Sequence, residues 1–471
     1  AQAVDSKKAM AVAGVRHVVE IDAGVAVVAE HFWAAKKGAD ALDIQWDFGP
    51  HADISSQSIQ QLFSKRADGH TGVGQEISAA LAGAAQRVEA EYHVPYQAHA
   101  ALEPMCCTVH IHDGICEVWV PSQSPSGAQI TAGRFSLSRV EYLLQRAKGK
   151  LLGRSFESIH VYNTLLGGGF GRRLESDYVA EAVQIAKAVD APVKLIWTRE
   201  QDIQHDYYRP ASLHRMTAGL DEQGVPVAWH QLAVGASDFG SPYYEIPASG
   251  GSMVEVDTGV PTGPWRSVSH SWNAFVVEGF IDELASLAGK DPVAYRVQLL
   301  ERQPRLKAVV EMVAEKAGWG GALPRGHYQG IAAHPGFGSY VAQVVELSVD
   351  KNEGIRIHRI VCVIDCGQVI NPDMVVQQME GGIIFGLTAT LTSAVTIREG
   401  RTEQSNFYDF PIMRIGDTPP IEVYIMPSSE SPGGVGEPGV PPIAPAVLNA
   451  LYAATKVRVR KLPVRVDDLF S

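Results

Sequence analysis

Four glycines fall within five positions in Leu166-Gly167-Gly168-Gly169-Phe170-Gly171-Arg172-Arg173, and this stretch restricts the fold more than any other. Ahead of it runs an alternating, strand-like segment, Ile159-His160-Val161-Tyr162-Asn163-Thr164-Leu165. Behind it comes a helical pattern carrying Tyr178, Val179, Ala182, Val183 and Ile185. The chain must therefore pass from strand to helix through a turn almost bare of side chains. Such a turn offers backbone N–H groups to an anion, a phosphate or an oxo ligand. It lacks the Gly-Lys-Ser/Thr ending of a P-loop, and its glycine spacing is not the dinucleotide fingerprint. On these residues alone a plain structural turn serves equally well.

A second segment, Pro432-Gly433-Gly434-Val435-Gly436-Glu437-Pro438-Gly439-Val440-Pro441-Pro442, sets one carboxylate in a run of Gly and Pro. Glycines let a bulky ligand approach the main chain, and prolines stiffen the loop. A Glu fixed in that way suits a general base, because its position is set and burial can tune its pKa. A turn with a solvated Glu is the alternative.

At 471 residues the chain is long enough for two or more domains, and an apolar content of 46% fits a globular protein. There is no run of eighteen apolar residues to span a membrane, and Ala1-Gln2-Ala3-Val4-Asp5-Ser6-Lys7-Lys8 does not read as a signal peptide. A formal charge of −12 argues against a nucleic-acid partner. The five cysteines, Cys106, Cys107, Cys116, Cys362 and Cys366, form no disulfide framework. None of their spacings suits an iron–sulfur cluster, so any electron-transfer cluster belongs on another polypeptide. No His-x-x-x-His zinc motif is present.

Along the chain, Val18–Ile21 and Val25–Ala29 flank an Asp22-Ala23-Gly24 turn, Ala34–Leu42 is expected helical, and Ile44–Asp47 closes the unit as a strand. Between about 86 and 240 strands alternate with helices, the helices at Ser126–Leu137, Arg139–Leu144 and Tyr178–Val189. A helical stretch covers about 270 to 302, restarting at Asp291-Pro292. Two long strands (Val341–Val349, Ile355–Ile364), a helix at Val376–Leu387 and another at about Pro445–Thr455 complete the reading.

The two loops, with Val120-Pro121-Ser122-Gln123-Ser124-Pro125, Trp197-Thr198-Arg199-Glu200, Gly263-Pro264-Trp265-Arg266-Ser267-Val268, Asp365-Cys366-Gly367, Asn371-Pro372, Gln378-Met379-Glu380-Gly381-Gly382 and Asn406-Phe407, resemble the large subunit of the molybdenum hydroxylases. Within that superfamily of xanthine oxidase and aldehyde oxidoreductase, the sequence is most similar to the branch of isoquinoline 1-oxidoreductase beta subunits and membrane-associated aldehyde dehydrogenases. The resemblance implies an α+β fold of mixed sheets with packed helices. Part of a small, hammerhead-like α/β domain would fill residues 1–50. A first molybdopterin-binding region would fill 51–330, and a second, with the catalytic Glu loop, 331–471.

The same resemblance implies the chemistry: oxygen from water enters a C–H bond of an aldehyde or N-heteroaromatic, and the molybdenum is held by the pterin dithiolene, with no protein ligand. Glu437 matches the base. Gln123 matches the glutamine whose amide donates to the molybdenum oxo ligand, and Gly168, Gly169, Phe170 and Gly171 match the loop whose backbone approaches it. Gln378 matches a pterin contact, and Arg266 a substrate-pocket arginine, although its neighbours differ and a structural ion pair serves as well; Ser339, in Phe337-Gly338-Ser339, is a candidate phosphate contact, with a plain Gly-Ser turn the preferred reading. His99, Glu103 and Pro104 match a packed turn. A buried Leu174 stands where purine oxidisers carry a Glu, which points away from xanthine.

The implied cofactor is molybdopterin, in its cytosine dinucleotide form in bacterial relatives. The implied partners are a small [2Fe-2S] subunit and an onward cytochrome c; because the Glu-Met-Gly-Gln-Gly pterin segment is not found, either a separate polypeptide supplies the N-terminal half of the large subunit or that portion is missing from this sequence. Periplasmic and cytoplasmic placements both stay open. A non-catalytic assembly subunit is the rival reading, and intact Gln123, Phe170 and Glu437 argue against it. An unrelated hydrolase lacks a nucleophile elbow.

Overall fold

The computed structural model describes residues 1–70, 72–152, 156–240 and 242–470. Three four-stranded sheets organise it. The first is ordered Ile159–Asn163, Ile115–Val120, Cys106–His112, Val193–Ile196. Its strands alternate buried and open residues, and the buried set (Cys107, Val109, Cys116, Val118, Val120) packs on the helices Pro125–Ser136 and Asp177–Val189. The strand Ile159–Asn163 runs parallel to Ile115–Val120, so its C-terminal end delivers the glycine-rich turn at one end of the sheet.

The second sheet is ordered Ala248–Val254, Pro226–Val234, Ser212–Leu220, Gln86–Val94. Here the expected alternation with helices fails, because Ser212–Val254 supplies three strands in succession. The third sheet is ordered Tyr328–Gly336, Ser339–Asp350, Gly354–Asp365, Ile421–Ile425. The helices Pro304–Ala317 and Ile443–Thr455 pack against it. One apolar core, from Val88 to Leu469, joins the second and third sheets. In the N-terminal unit the hairpin Val15–Ile21/Gly24–Ala29 and the helix Phe32–Asp40 match expectation, and Asp43–Gln45 pairs with Ala3–Asp5.

The helix read at Val376–Leu387 extends over Pro372–Leu391, because the Asn371 side chain caps it by accepting from the N–H groups of Asp373 and Met374. A second long helix of the core, His270–Leu287, is buried along nearly its whole length and carries charge inside. Glu278, fully buried, accepts from Arg296 Nε at 2.9 Å, Tyr243 Oη at 3.0 Å and the Ala333 N–H at 2.8 Å. Two further charged residues on the helix, Asp282 and Glu283, meet Arg458 and Arg460. Removing one partner of such a pair strands the other in a dry interior. Glu278→Ala is expected to cost about 3–5 kcal/mol, read as a fall in the denaturation midpoint, and an unchanged midpoint would contradict the role given to this network. Among the described residues no helix is long and apolar enough to cross a membrane. Cys362 and Cys366 are buried thiols, as their apolar surroundings implied.

Candidate active site

The glycine turn is shaped by the two arginines that follow it. Arg173, with no exposed surface, donates from Nε to the Gly168 carbonyl (2.8 Å), from Nη1 to Pro121 O (3.2 Å) and from Nη2 to the Glu103 carboxylate (2.7 Å). The same carboxylate accepts from the Gly167 N–H at 3.0 Å. Arg172 makes a bidentate pair with Asp177 (2.8 and 2.6 Å) and lies 3.2 Å from Asp206. Burial pushes the Asp206 carboxyl up, but His99 and Arg172 beside it hold it below the usual carboxylate range. His99 joins Asp206 Oδ1 (2.8 Å) to the Pro264 carbonyl (2.8 Å). His99 and Glu103 are thus parts of a packed turn that holds the glycine loop.

Gly171 has φ +111°, and a Cβ there would overlap the Pro264 carbonyl oxygen. A Cβ on Gly169 would overlap Gln123 Oε1. Close approach to a backbone atom at positive φ therefore requires glycine at 171, whereas a Cβ at 169 would displace the Gln123 side chain. Gln123 accepts at Oε1 from the Gly171 N–H (3.1 Å), and its own N–H donates to Arg173 O (3.0 Å). With the side-chain carbonyl committed, the amide NH₂ is the group Gln123 has left to offer. The N–H groups of Gly168, Gly169 and Phe170 make no hydrogen bond among the described residues. Phe170, at φ +56°, stacks its ring on Phe385 (4.8 Å), which in turn meets Trp265 (4.5 Å). Its ring thereby anchors the loop.

The segment Pro264-Trp265-Arg266-Ser267 bridges the glycine turn to the glutamate loop. At its far end Ser267 Oγ donates to Glu437 O (2.7 Å) and the Ser267 N–H lies 3.4 Å from Glu437 Oε1. Arg266 Nε donates to Gly436 O (2.7 Å), and its Nη2 donates to Gln378 Oε1 (3.0 Å) and also to Gly436 O. Burial lowers the Arg266 pKa, and the Glu437 charge opposes that shift. Ser267 and Val268 sit at φ +78° and +41°, strained for residues with a Cβ. Further ties come from Gly434 N–H to Phe337 O (2.7 Å) and Gln343 Nε2 to Gly439 O (2.9 Å). Glu437 is thereby clamped at its backbone while its half-buried carboxylate makes one long contact.

Three expectations change. Ser339 does not offer its hydroxyl to a phosphate: it is 1% exposed and donates to Gly434 O (2.7 Å), so it too ties the glutamate loop. Arg266 spends Nε and Nη2 on main-chain and amide oxygens and pairs with no carboxylate among the described residues, so it braces that loop without forming an ion pair. Leu174 is 42% exposed, not buried, although it still brings no polar group. Sequence reasoning missed Arg172, Arg173, Asp206, Ser267 and Phe385. Only the Arg-Arg pair, set directly after the glycines, carried a local signal.

Donors without a protein acceptor among the described residues suit an anionic, oxygen-rich group: the N–H groups of Gly168, Gly169 and Phe170 on the glycine turn, the Gln123 amide beside them, and Gln378 Nε2 on the glutamate-loop side. The chain matches the family described as molybdopterin cofactor-binding domain twice, over residues 59–299 and 217–419. It belongs to that family, within the xanthine oxidase class of molybdenum hydroxylases, and molybdopterin is its cofactor. It is 31% identical to the membrane-bound aldehyde dehydrogenase [pyrroloquinoline-quinone] of Gluconacetobacter polyoxogenes, across 94% of this chain and 62% of that protein. It is 29% identical to the isoquinoline 1-oxidoreductase subunit beta of Brevundimonas diminuta, across 98% of this chain and 62% of that one. The chain therefore spans about three fifths of the length of these relatives. Quinoline 2-oxidoreductase from Pseudomonas putida 86 shares the fold at TM-score 0.80 and 13% identity, over 99% of this chain and 92% of that one.

Proposed function

We propose that this chain is the molybdenum-bearing part of an oxidoreductase that hydroxylates or oxidises an aldehyde or an N-heteroaromatic with oxygen from water. The observation that carries the proposal is the single bridge, Pro264–Ser267, that fixes the anion-cradling glycine turn and the clamped Glu437 in one frame. The names of the relatives, an aldehyde dehydrogenase and an isoquinoline oxidoreductase, support the two substrate classes.

Bound here, the cofactor supplies the two-electron oxidation. The remaining work belongs to the chain. Glu437, held at its main chain by Ser267 and Val440, accepts the proton given up by the attacking water. Gln123 donates from its amide toward developing negative charge, with its orientation locked by the Gly171 N–H. Gly168, Gly169 and Phe170 add backbone donors on the same side, and Gln378 offers its amide to the pterin. Ser339 and Arg266 hold the glutamate loop still. For an aldehyde the balance is RCHO + H₂O → RCOOH + 2 H⁺ + 2 e⁻. The electrons pass to a separate [2Fe-2S] subunit and on to a cytochrome c. In this reading the dinucleotide is the cytosine form, residues 51–330 and 331–471 contribute the two sides of the site, and the rest of the large subunit completes it. Arg266 has Nη1 left to offer a substrate.

Turnover in ¹⁸O-water tests the reaction class: one label from water per product molecule is expected, and oxygen drawn from O₂ would overturn the proposal. Arg266→Met separates strut from substrate contact. As a strut, its loss lowers kcat by about 10²-fold with KM little changed. A rise in KM at constant kcat would return Arg266 to the substrate.

A further inference from the structure

On the outer face of the first sheet, outside the site described above, three potential metal ligands meet. His110 and His112 lie two residues apart on Cys106–His112 and so share one face, while Glu117 stands directly across from His110 on Ile115–Val120. The opposite face, with Val109, Cys116 and Val118, is core. We propose that His110, His112 and Glu117 form a binding site for a divalent transition-metal ion of the zinc type, clasping the two strands of the 106–120 hairpin.

The donor atoms all lie within 4.8 Å of one another, with His112 Nε2 and Glu117 Oε2 at 3.1 Å and the two imidazole centroids at 4.3 Å. Zinc binds imidazole nitrogen and carboxylate oxygen at about 2.0–2.2 Å, so neighbouring ligands around it stand about 3.3–3.5 Å apart. Small side-chain rotations meet that spacing. Partners outside the trio already orient two of its members. Tyr162 Oη donates to Glu117 Oε1 (3.0 Å), which leaves Oε2 for the ion. Asp113 Oδ2 lies 3.3 Å from His112 Nδ1, so it can take the Nδ1 proton and leave the Nε2 lone pair free. Two imidazoles and one carboxylate suit zinc, and three protein ligands leave a position open to water.

The test is calorimetric titration of the cofactor-loaded chain with Zn²⁺ alone, and it does not depend on the reading of the oxidoreductase site. One tight equivalent is expected, absent from the His110→Ala/His112→Ala double variant. Glu117→Gln and Tyr162→Phe are each expected to weaken binding about tenfold, and His51→Ala serves as an unaffected control. Because the three ligands lie off the core, far-ultraviolet circular dichroism of the variants stays that of the parent. A tight equivalent that survives in the double variant, or a parent chain that takes up none, overturns the proposal.

Discussion

Glu437→Gln will lower kcat by about 10²–10⁴-fold, the usual contribution of a positioned general base, while molybdenum content stays at the parent level. The loop that carries Glu437 is held by its backbone: Gly434 to Phe337, Gly436 to Arg266, Glu437 O to Ser267 and Gly439 to Gln343. None of these bonds uses the carboxylate, so the amide fits without disturbing the clamp. The one contact at the carboxylate, from the Ser267 N–H at 3.4 Å, can be kept by the amide oxygen. What is lost is proton acceptance. Steady-state rates on an aldehyde and N-heterocycle panel, with metal analysis of the same samples, measure the two quantities together. A variant that keeps near-parent kcat would remove Glu437 from the chemistry.

The second large effect is expected from Gly171→Ala. A methyl there meets the Pro264 carbonyl oxygen, a backbone atom that cannot swing aside, at φ +111°. Backbone strain and overpacking together are worth about 2–6 kcal/mol. The cheapest relief is for the glycine turn to withdraw from Pro264, which breaks the Gly171-to-Gln123 bond and separates the cradle from the glutamate loop. Molybdenum per chain is expected to fall severalfold, with a lower melting temperature. Gly289→Ala is the control, since Gly289 has φ +64° but nothing within 4 Å of a Cβ. It carries the conformational cost without the collision and should keep its metal.

The two loops were legible in the sequence because each is written in consecutive residues, with glycine or proline marking the backbone and a single functional group between. The helices Asp177–Val189 and Ile443–Thr455 were legible for a related reason, since an apolar period persists over their full length. The strand Ile421–Ile425 was not, being five residues whose pairing to Gly354–Asp365 is parallel and distant in the chain. The frame of the site was illegible for the same cause. Arg173 reaches Glu103 across 70 positions and Ser267 reaches Glu437 across 170, and nothing local announces either pairing. With Ser339 the sequence points to the right place but not to the right bond. Its segment does meet the glutamate loop, yet burial commits the hydroxyl to Gly434. Leu174 departs from expectation because apolar character does not entail burial, and it ends the short turn Arg172–Leu174 with its side chain exposed.

The central claim, that the glycine turn and the Glu437 loop together hold a molybdenum cofactor, is tested most directly by plasma mass spectrometry of the chain purified with the products encoded beside it. Near one molybdenum per copy, iron tracking a small partner, and loss of molybdenum in Gly171→Ala but not in Glu437→Gln is the result this account predicts. A well-folded, fully assembled complex without molybdenum would contradict it.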